Sequence, residues 1–134
     1  MAYLEELTIK TQVEGVYNIT KEITGAIKRS GVEEGIAIVF CPHTTAGVTL
    51  NENTDPKNVG HDLLVSLSHA FPSHEEFTHS EGNSYAHVRS SAVGCDVTLI
   101  IEDNWPKLGI WQNVYFLEFD GPRTRSYYVK IIKG

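Results

Sequence analysis

Residues 36–41, Ile-Ala-Ile-Val-Phe-Cys, are apolar on both faces of an extended chain. A strand of that kind belongs in the middle of a sheet, so a sheet must be built around it. Residues 7–13 alternate instead, with Leu7, Ile9 and Val13 set against Thr8, Lys10 and Gln12, the pattern of a half-buried strand. After a short Pro42-His43-Thr44 passage, residues 46–50 read as another strand, and residues 97–102, 112–119 and 126–132 supply three more. Asp120-Gly121-Pro122 has turn chemistry and separates the last two.

Helices are fewer and cluster early. Residues 20–30 place Ile23 and Ile27 one turn apart, with Thr20 a suitable N-cap and Gly31 a suitable stop. Asp55-Pro56 starts a second helix, aspartate as cap and proline at the first helical position. Val59, Leu63, Leu64 and Leu67 form its buried stripe, and Phe71-Pro72 ends it. A short helix over roughly 84–91 follows, capped by Asn83 or Ser84. The expected class is α+β, a largely antiparallel β-sheet sandwich with helices packed on it, in a single domain spanning residues 1–134.

At 134 residues with 41% hydrophobic and 21% charged side chains, the chain can bury a core without staples. No apolar run approaches the length of a membrane span, and the first six residues lack the features of a signal peptide. Cys41 and Cys95 have no metal-type spacing and read as free thiols in a reducing cytoplasm. A net charge of −6 opposes broad binding to nucleic acid.

All six histidines (43, 61, 69, 74, 79 and 87) fall in the middle third of the chain. Imidazole is the side chain best suited to hold a transition metal or move a proton near neutral pH. His79 and His87 would lie ~12 Å apart along a continuous helix and roughly 27 Å apart along a strand. Only a chain reversal lets them share an ion, and Glu81-Gly82-Asn83 is suitable for one. They are either a metal or acid/base pair or two polar loop histidines. His43, at the end of the buried strand, is either a site residue or a partner for loop backbone groups. Asp62 sits at the edge of the second helix as a ligand, a base or a solvated acid. His61, His69 and His74 read as surface residues. Arg123 and Arg125 beside the turn either grip a phosphate or carboxylate, or pair with Glu118 and Asp120. Glu52 draws notice only as a neighbour of these groups. Trp105 and Trp111 are expected in the core or against another subunit.

Five segments in order resemble one family. They are Cys41-Pro42-His43-Thr44-Thr45-Ala46-Gly47-Val48, Asn51-Glu52-Asn53-Thr54-Asp55-Pro56 with Asp62 following, and the run from His79 to His87. Leu108-Gly109-Ile110-Trp111-Gln112 and Glu118-Phe119-Asp120-Gly121-Pro122-Arg123 complete the set. Together they resemble the YjbQ-like family, often described as secondary thiamine-phosphate synthases. Ile110 stands where that family usually has threonine, and Asp103-Asn104-Trp105-Pro106 replaces a more typical Asp-Gly turn. The resemblance implies an α+β sandwich assembled as a homotrimer. It also implies a weak transfer that joins a pyrimidine diphosphate to a thiazole phosphate and releases pyrophosphate.

On this reading His43, Asp62, His79 and His87 are the candidate catalytic residues. His43, His79 and His87 would ligate a divalent metal, zinc or magnesium. Glu52, Asn83, Arg123 and Arg125 are candidate substrate-binding residues for a small phosphorylated metabolite. The alternative is a non-catalytic protein that binds a metal or such a metabolite, since the same residues serve either role.

Overall fold

The strand expected at the centre of a sheet does sit there, as the third of five. The computed structural model describes residues 2–134. The element order is β1 (Ala2–Lys10), β2 (Gly15–Asn18), α1 (Thr20–Ser30), β3 (Gly35–Phe40), β4 (Ala46–Glu52), α2 (Pro56–Ala70), α3 (Ser84–Val93), β5 (Asp96–Glu102), β6 (Trp105–Pro106), β7 (Gln112–Glu118) and β8 (Thr124–Lys133). One sheet has the order β1-β8-β3-β5-β6 and the other β2-β7-β4. Every recorded pairing is antiparallel. This is the α+β sandwich that the pattern of elements predicts. Among the described residues no helix is long and apolar enough to cross a membrane.

The main core lies between the two sheets. Ala37, Val39, Leu99, Ile101, Tyr127, Val129 and Ile131 of the large sheet meet Val48, Val114 and Phe116 of the small one. Ile23, Ala26 and Ile27 of α1 pack into the same core. Burying one such aliphatic side chain stabilises by about 1.5–3 kcal/mol. A second cluster covers the far face of the small sheet, where Tyr115, Leu117 and Phe119 pack under α2 and α3. The strand buried on both faces is therefore β7. On β3 the even-numbered face is open, with Ile36 and Phe40 about two-fifths exposed. Ile36 stands directly across from Ile132 and Ile100, which with Leu4 and Phe40 make an uncovered apolar face on the large sheet. Trp105 and Trp111 are also exposed, so neither belongs to the core.

Helix and strand ends differ from the sequence expectation for local reasons. β1 stops at Lys10 and leaves Val13 exposed, because its ladder with β8 ends at Lys10–Thr124. Thr20 is the first residue of α1 and does not cap it. The Asn18 side-chain oxygen accepts from the Thr20 N–H at 3.0 Å, while the Thr20 hydroxyl accepts from the Val114 N–H at 2.9 Å. Gly31 stops α1 in the left-handed conformation, φ 68°, as its position suggests. Asp55 flanks α2 without a side-chain cap, its carboxylate accepting from Asn58 instead. The stripe of Val59, Leu63, Leu64 and Leu67 is only half-buried.

Candidate functional site

The first wall of the site comes from the end of β3. Past Phe40 the chain continues through Cys41 and Pro42 to His43, whose Nε2 lies 2.9 Å from the Ser126 carbonyl oxygen and 3.1 Å from the Ser126 nitrogen. One tautomer donates to that carbonyl and the other accepts from that N–H, so either fixes the ring on β8. Burial, with the Arg125 charge second, lowers the His43 pKa below its ordinary value, which keeps the ring neutral near pH 7.

The second wall is α3. Its Ser90 hydroxyl donates to the Ala46 carbonyl at 2.6 Å, tying the helix to β4. One turn earlier, His87 Nδ1 lies 3.1 Å from the Thr44 carbonyl oxygen. In the neutral ring a nitrogen facing a carbonyl is the one that carries the proton, and Nε2 is then the acceptor. The chain before α3 reverses at Gly82, φ 74°, with the Gly82 N–H donating to the His79 carbonyl at 3.3 Å. That reversal brings the His79 ring edge-on to the His87 ring, centroids 5.2 Å apart and planes at 84°.

The third wall is the turn between β7 and β8. Arg125 is buried against the fully buried Glu118, its Nε donating at 2.8 Å and its Nη2 reaching the second carboxylate oxygen. Nη2 also donates to the Thr45 hydroxyl at 2.7 Å, and the Thr11 hydroxyl donates to Glu118 at 2.6 Å. Burial alone would raise the Glu118 carboxyl. Hydrogen bonds from Arg125, Thr11 and the Asp120 N–H outweigh it and hold the group below its ordinary value. Arg123 is half-exposed and bonds Asp120, Nε to the carbonyl at 2.8 Å and Nη2 to the carboxylate at 3.2 Å. The same carboxylate accepts from Asn83 Nδ2 at 2.8 Å. Arg125 is thus spent on Glu118 and Thr45, whereas Arg123 pairs with Asp120 through Nε and Nη2 at the half-exposed edge of the turn.

Between these walls lies a polar cavity of about 280 Å³ whose lining includes His43, Thr45, Asn83, His87, Arg123 and Arg125. His87 also lines a larger cleft with His79 and Glu76, about 850 Å³, and one of about 480 Å³ with His43 and Cys95. The structure therefore brings together His43, Asn83, His87, Arg123 and Arg125, with His79 one ring away. Glu52 and Asp62 are not brought to the cavity within the chain. Glu52 organises the turn into α2, accepting from the Thr54 N–H at 2.6 Å and the Asp55 N–H at 2.9 Å. Asp62 is exposed on α2 and faces its neighbour His61 at 3.2 Å. Ser90 and Thr11 escaped the sequence reading, because hydroxyls that reach a distant carbonyl or carboxylate leave no local spacing signal.

A divalent ion was expected on His43, His79 and His87. Among the described residues, no three His, Cys, Asp or Glu side chains gather to hold an ion. The chain offers the His79–His87 pair, with Glu81 4.0 Å from His79. A closed tetrahedral zinc cage needs four donors and a catalytic one three, so this set does not fit a protein-built zinc centre.

Comparison with known proteins agrees with the motifs. The family model described as UPF0047 protein YjbQ-like matches residues 5–134. UPF0047 protein MJ1081 of Methanocaldococcus jannaschii is 56% identical over 119 residues, covering 89% of this chain and 86% of that protein. UPF0047 protein YugU of Bacillus subtilis is 44% identical over 131 residues, 96% and 98% of the two chains. The crystal structure of an uncharacterised YjbQ/UPF0047 protein from Clostridium acetobutylicum superposes with a TM-score of 0.90 at 48% identity, covering 96% of this chain and 99% of its own. Fold, ordered motifs and these likenesses together place the chain in the YjbQ-like (UPF0047) family.

Proposed function

We propose that the cavity between β3, α3 and the β7–β8 turn binds a small phosphorylated metabolite and performs a transfer of the thiamine-phosphate synthase type. The observation that carries this reading is the convergence of His43, Asn83, His87 and Arg123, from three separate segments, on one polar cavity. In such a transfer the thiazole attacks the carbon bearing the diphosphate, the carbon–oxygen bond breaks, and the diphosphate leaves with the electron pair. Arg123 has guanidinium N–H groups beyond those spent on Asp120 and neutralises the departing anion. Arg125, committed to Glu118 and Thr45, is a positioning residue for the turn that carries Arg123. Neutral His43 and the acceptor Nε2 of His87 are the groups able to hold or accept a proton. Asn83 Oδ1 is buried with no protein partner, and the Asp120 carboxylate fixes the amide so that the oxygen points away. An orphan acceptor beside a cavity suits a ligand with an amino or hydroxyl donor.

The divalent ion fits this scheme best as magnesium arriving with the diphosphate. Magnesium is commonly held by substrate phosphates and water rather than by a protein cage, and it would supply further charge neutralisation. Assembly as a homotrimer is supported by the uncovered apolar face of Leu4, Ile36, Phe40, Ile100 and Ile132. Glu52 and Asp62 would reach a site only from a neighbouring copy. Two free thiols suit a cytoplasmic setting.

The rival reading is a binder without turnover. Incubating the protein with the pyrimidine diphosphate and the thiazole phosphate separates the two. The enzyme releases pyrophosphate and thiamine phosphate in many-fold excess over protein. Product capped at one equivalent, or none beside stoichiometric ligand binding, contradicts the transferase.

A further inference from the structure

Cys41 and Cys95 are far apart in sequence and opposite each other in the fold. β3 and β5 run antiparallel with Phe40 across from Asp96. Their ladder continues one step further, because the Cys41 N–H donates to the Cys95 carbonyl at 2.7 Å. Residues directly across such a pair present side chains to the same face, with Cα atoms about 4.5–5.5 Å apart. A disulfide accepts Cα separations of about 4.4–6.8 Å. Odd-numbered residues face the core on both strands: Ala37, Val39 and Cys41 on one side, Leu99 and Ile101 on the other. Cys95 shares that parity. Cys41 is 1% exposed, whereas Cys95 is exposed at the open strand end and lines the 480 Å³ cleft with His43 and His87.

We propose that Cys41 and Cys95 form a peroxide-sensitive pair that closes a disulfide beside the candidate site. Cys95 is the thiol a peroxide can reach. Its thiolate attacks one oxygen of hydrogen peroxide, giving a sulfenic acid and hydroxide, which leaves as water once protonated. The Cys41 sulfur then attacks the Cys95 sulfur and expels the hydroxyl, which departs as a second water with the Cys41 proton. Two thiols and one peroxide become one disulfide and two waters. The bond staples the approach to His43 onto the loop that leads from α3 into β5, so the cleft walls are held in one arrangement until a thiol reductant restores them. Its effect on the site rests on the function proposed above, but its formation does not.

The test is peroxide titration of the full wild-type chain, followed by alkylation and non-reducing peptide mapping by mass spectrometry. Both thiols are expected to disappear together, with the segments bearing Cys41 and Cys95 linked within a single chain and both thiols recovered on reduction. In Cys95→Ser, Cys41 is expected to stay reduced through the same titration. Sulfinic or sulfonic acid at Cys95 with Cys41 still reduced overturns the proposal, as does a Cys95–Cys95 link between chains. No substrate enters the measurement, so its failure is distinct from a failed turnover assay.

Discussion

Replacing Arg125 with methionine lowers the melting temperature by about 10–20 °C. The loss follows from what the substitution leaves behind. Glu118 is completely buried, and Arg125 supplies two of its hydrogen bonds. Thr11 and the Asp120 N–H remain, yet neither carries charge. Breaking a buried pair by removing one partner costs about 3–5 kcal/mol, because the surviving charge has no counter-ion in a low-dielectric interior. Replacing both partners with residues of similar shape removes the stranded charge, so Glu118→Gln with Arg125→Met recovers much of the loss. The same pair sets an acid limit. Glu118 is held below its ordinary pKa, so the stability it contributes is fully present above about pH 4.3 and is lost as pH falls through the lower folded value. Asp120 adds to this, since hydrogen bonds from Asn83 and Arg123 outweigh its burial and lower its carboxyl too. Thermal melts by circular dichroism between pH 7 and pH 3 read both effects, and Arg125→Met is expected to flatten the slope from Glu118. An unchanged melting temperature in Arg125→Met contradicts the structural role given to the pair.

The second large effect falls on turnover. His43→Ala and His87→Ala are each expected to reduce the transfer rate by about 10²- to 10⁴-fold, the range for a positioned proton-transfer group. The pH profile distinguishes His43 from a bystander. Its pKa is lowered by burial and by the Arg125 charge, so the neutral ring persists below about pH 6.5 and activity falls only under its lower folded value. Stability moves the same way. The unfolded chain takes up this proton first, so the fold weakens as pH drops from about 6.5 toward the folded value and is unaffected above it. His87→Ala removes the bond to Thr44 and the edge-on partner of His79, yet the Ser90 tie to Ala46 still holds α3. Rate loss with little change in melting temperature is therefore the expected signature for His87. Wild-type rates in both variants contradict the assignment.

Much of the architecture was legible because it follows from short-range patterns. The apolar run before Cys41 identified an interior strand, Asp55-Pro56 marked the start of α2, and Gly31 and Gly82 marked a helix stop and a chain reversal. Burial on both faces of β7 was not legible. Gln112–Glu118 carries polar residues at its start and end, and its cover comes from α2 and α3 on one side and the large sheet on the other. The site divides in the same way. His79 and His87 meet because of a local turn that glycine announces. Commitment of Arg125 to Glu118 depends on burial, which neither arginine reveals in sequence. Helix position alone leaves Asp62 open between a ligand, a base and a solvated acid, and in the fold it is exposed on α2 facing His61.

Calorimetric titration of inorganic pyrophosphate tests most directly whether the cavity between His43, His87 and Arg123 is the ligand site. One saturable site per chain is expected in the wild type, weakened at least about tenfold by Arg123→Ala through the loss of charge-assisted hydrogen bonds. Lys107→Ala, an exposed cation paired with Glu102 away from that cavity, is expected to bind as the wild type does. Equal affinity in Arg123→Ala and the wild type, or weakening only in Lys107→Ala, would mean that the anion sits elsewhere.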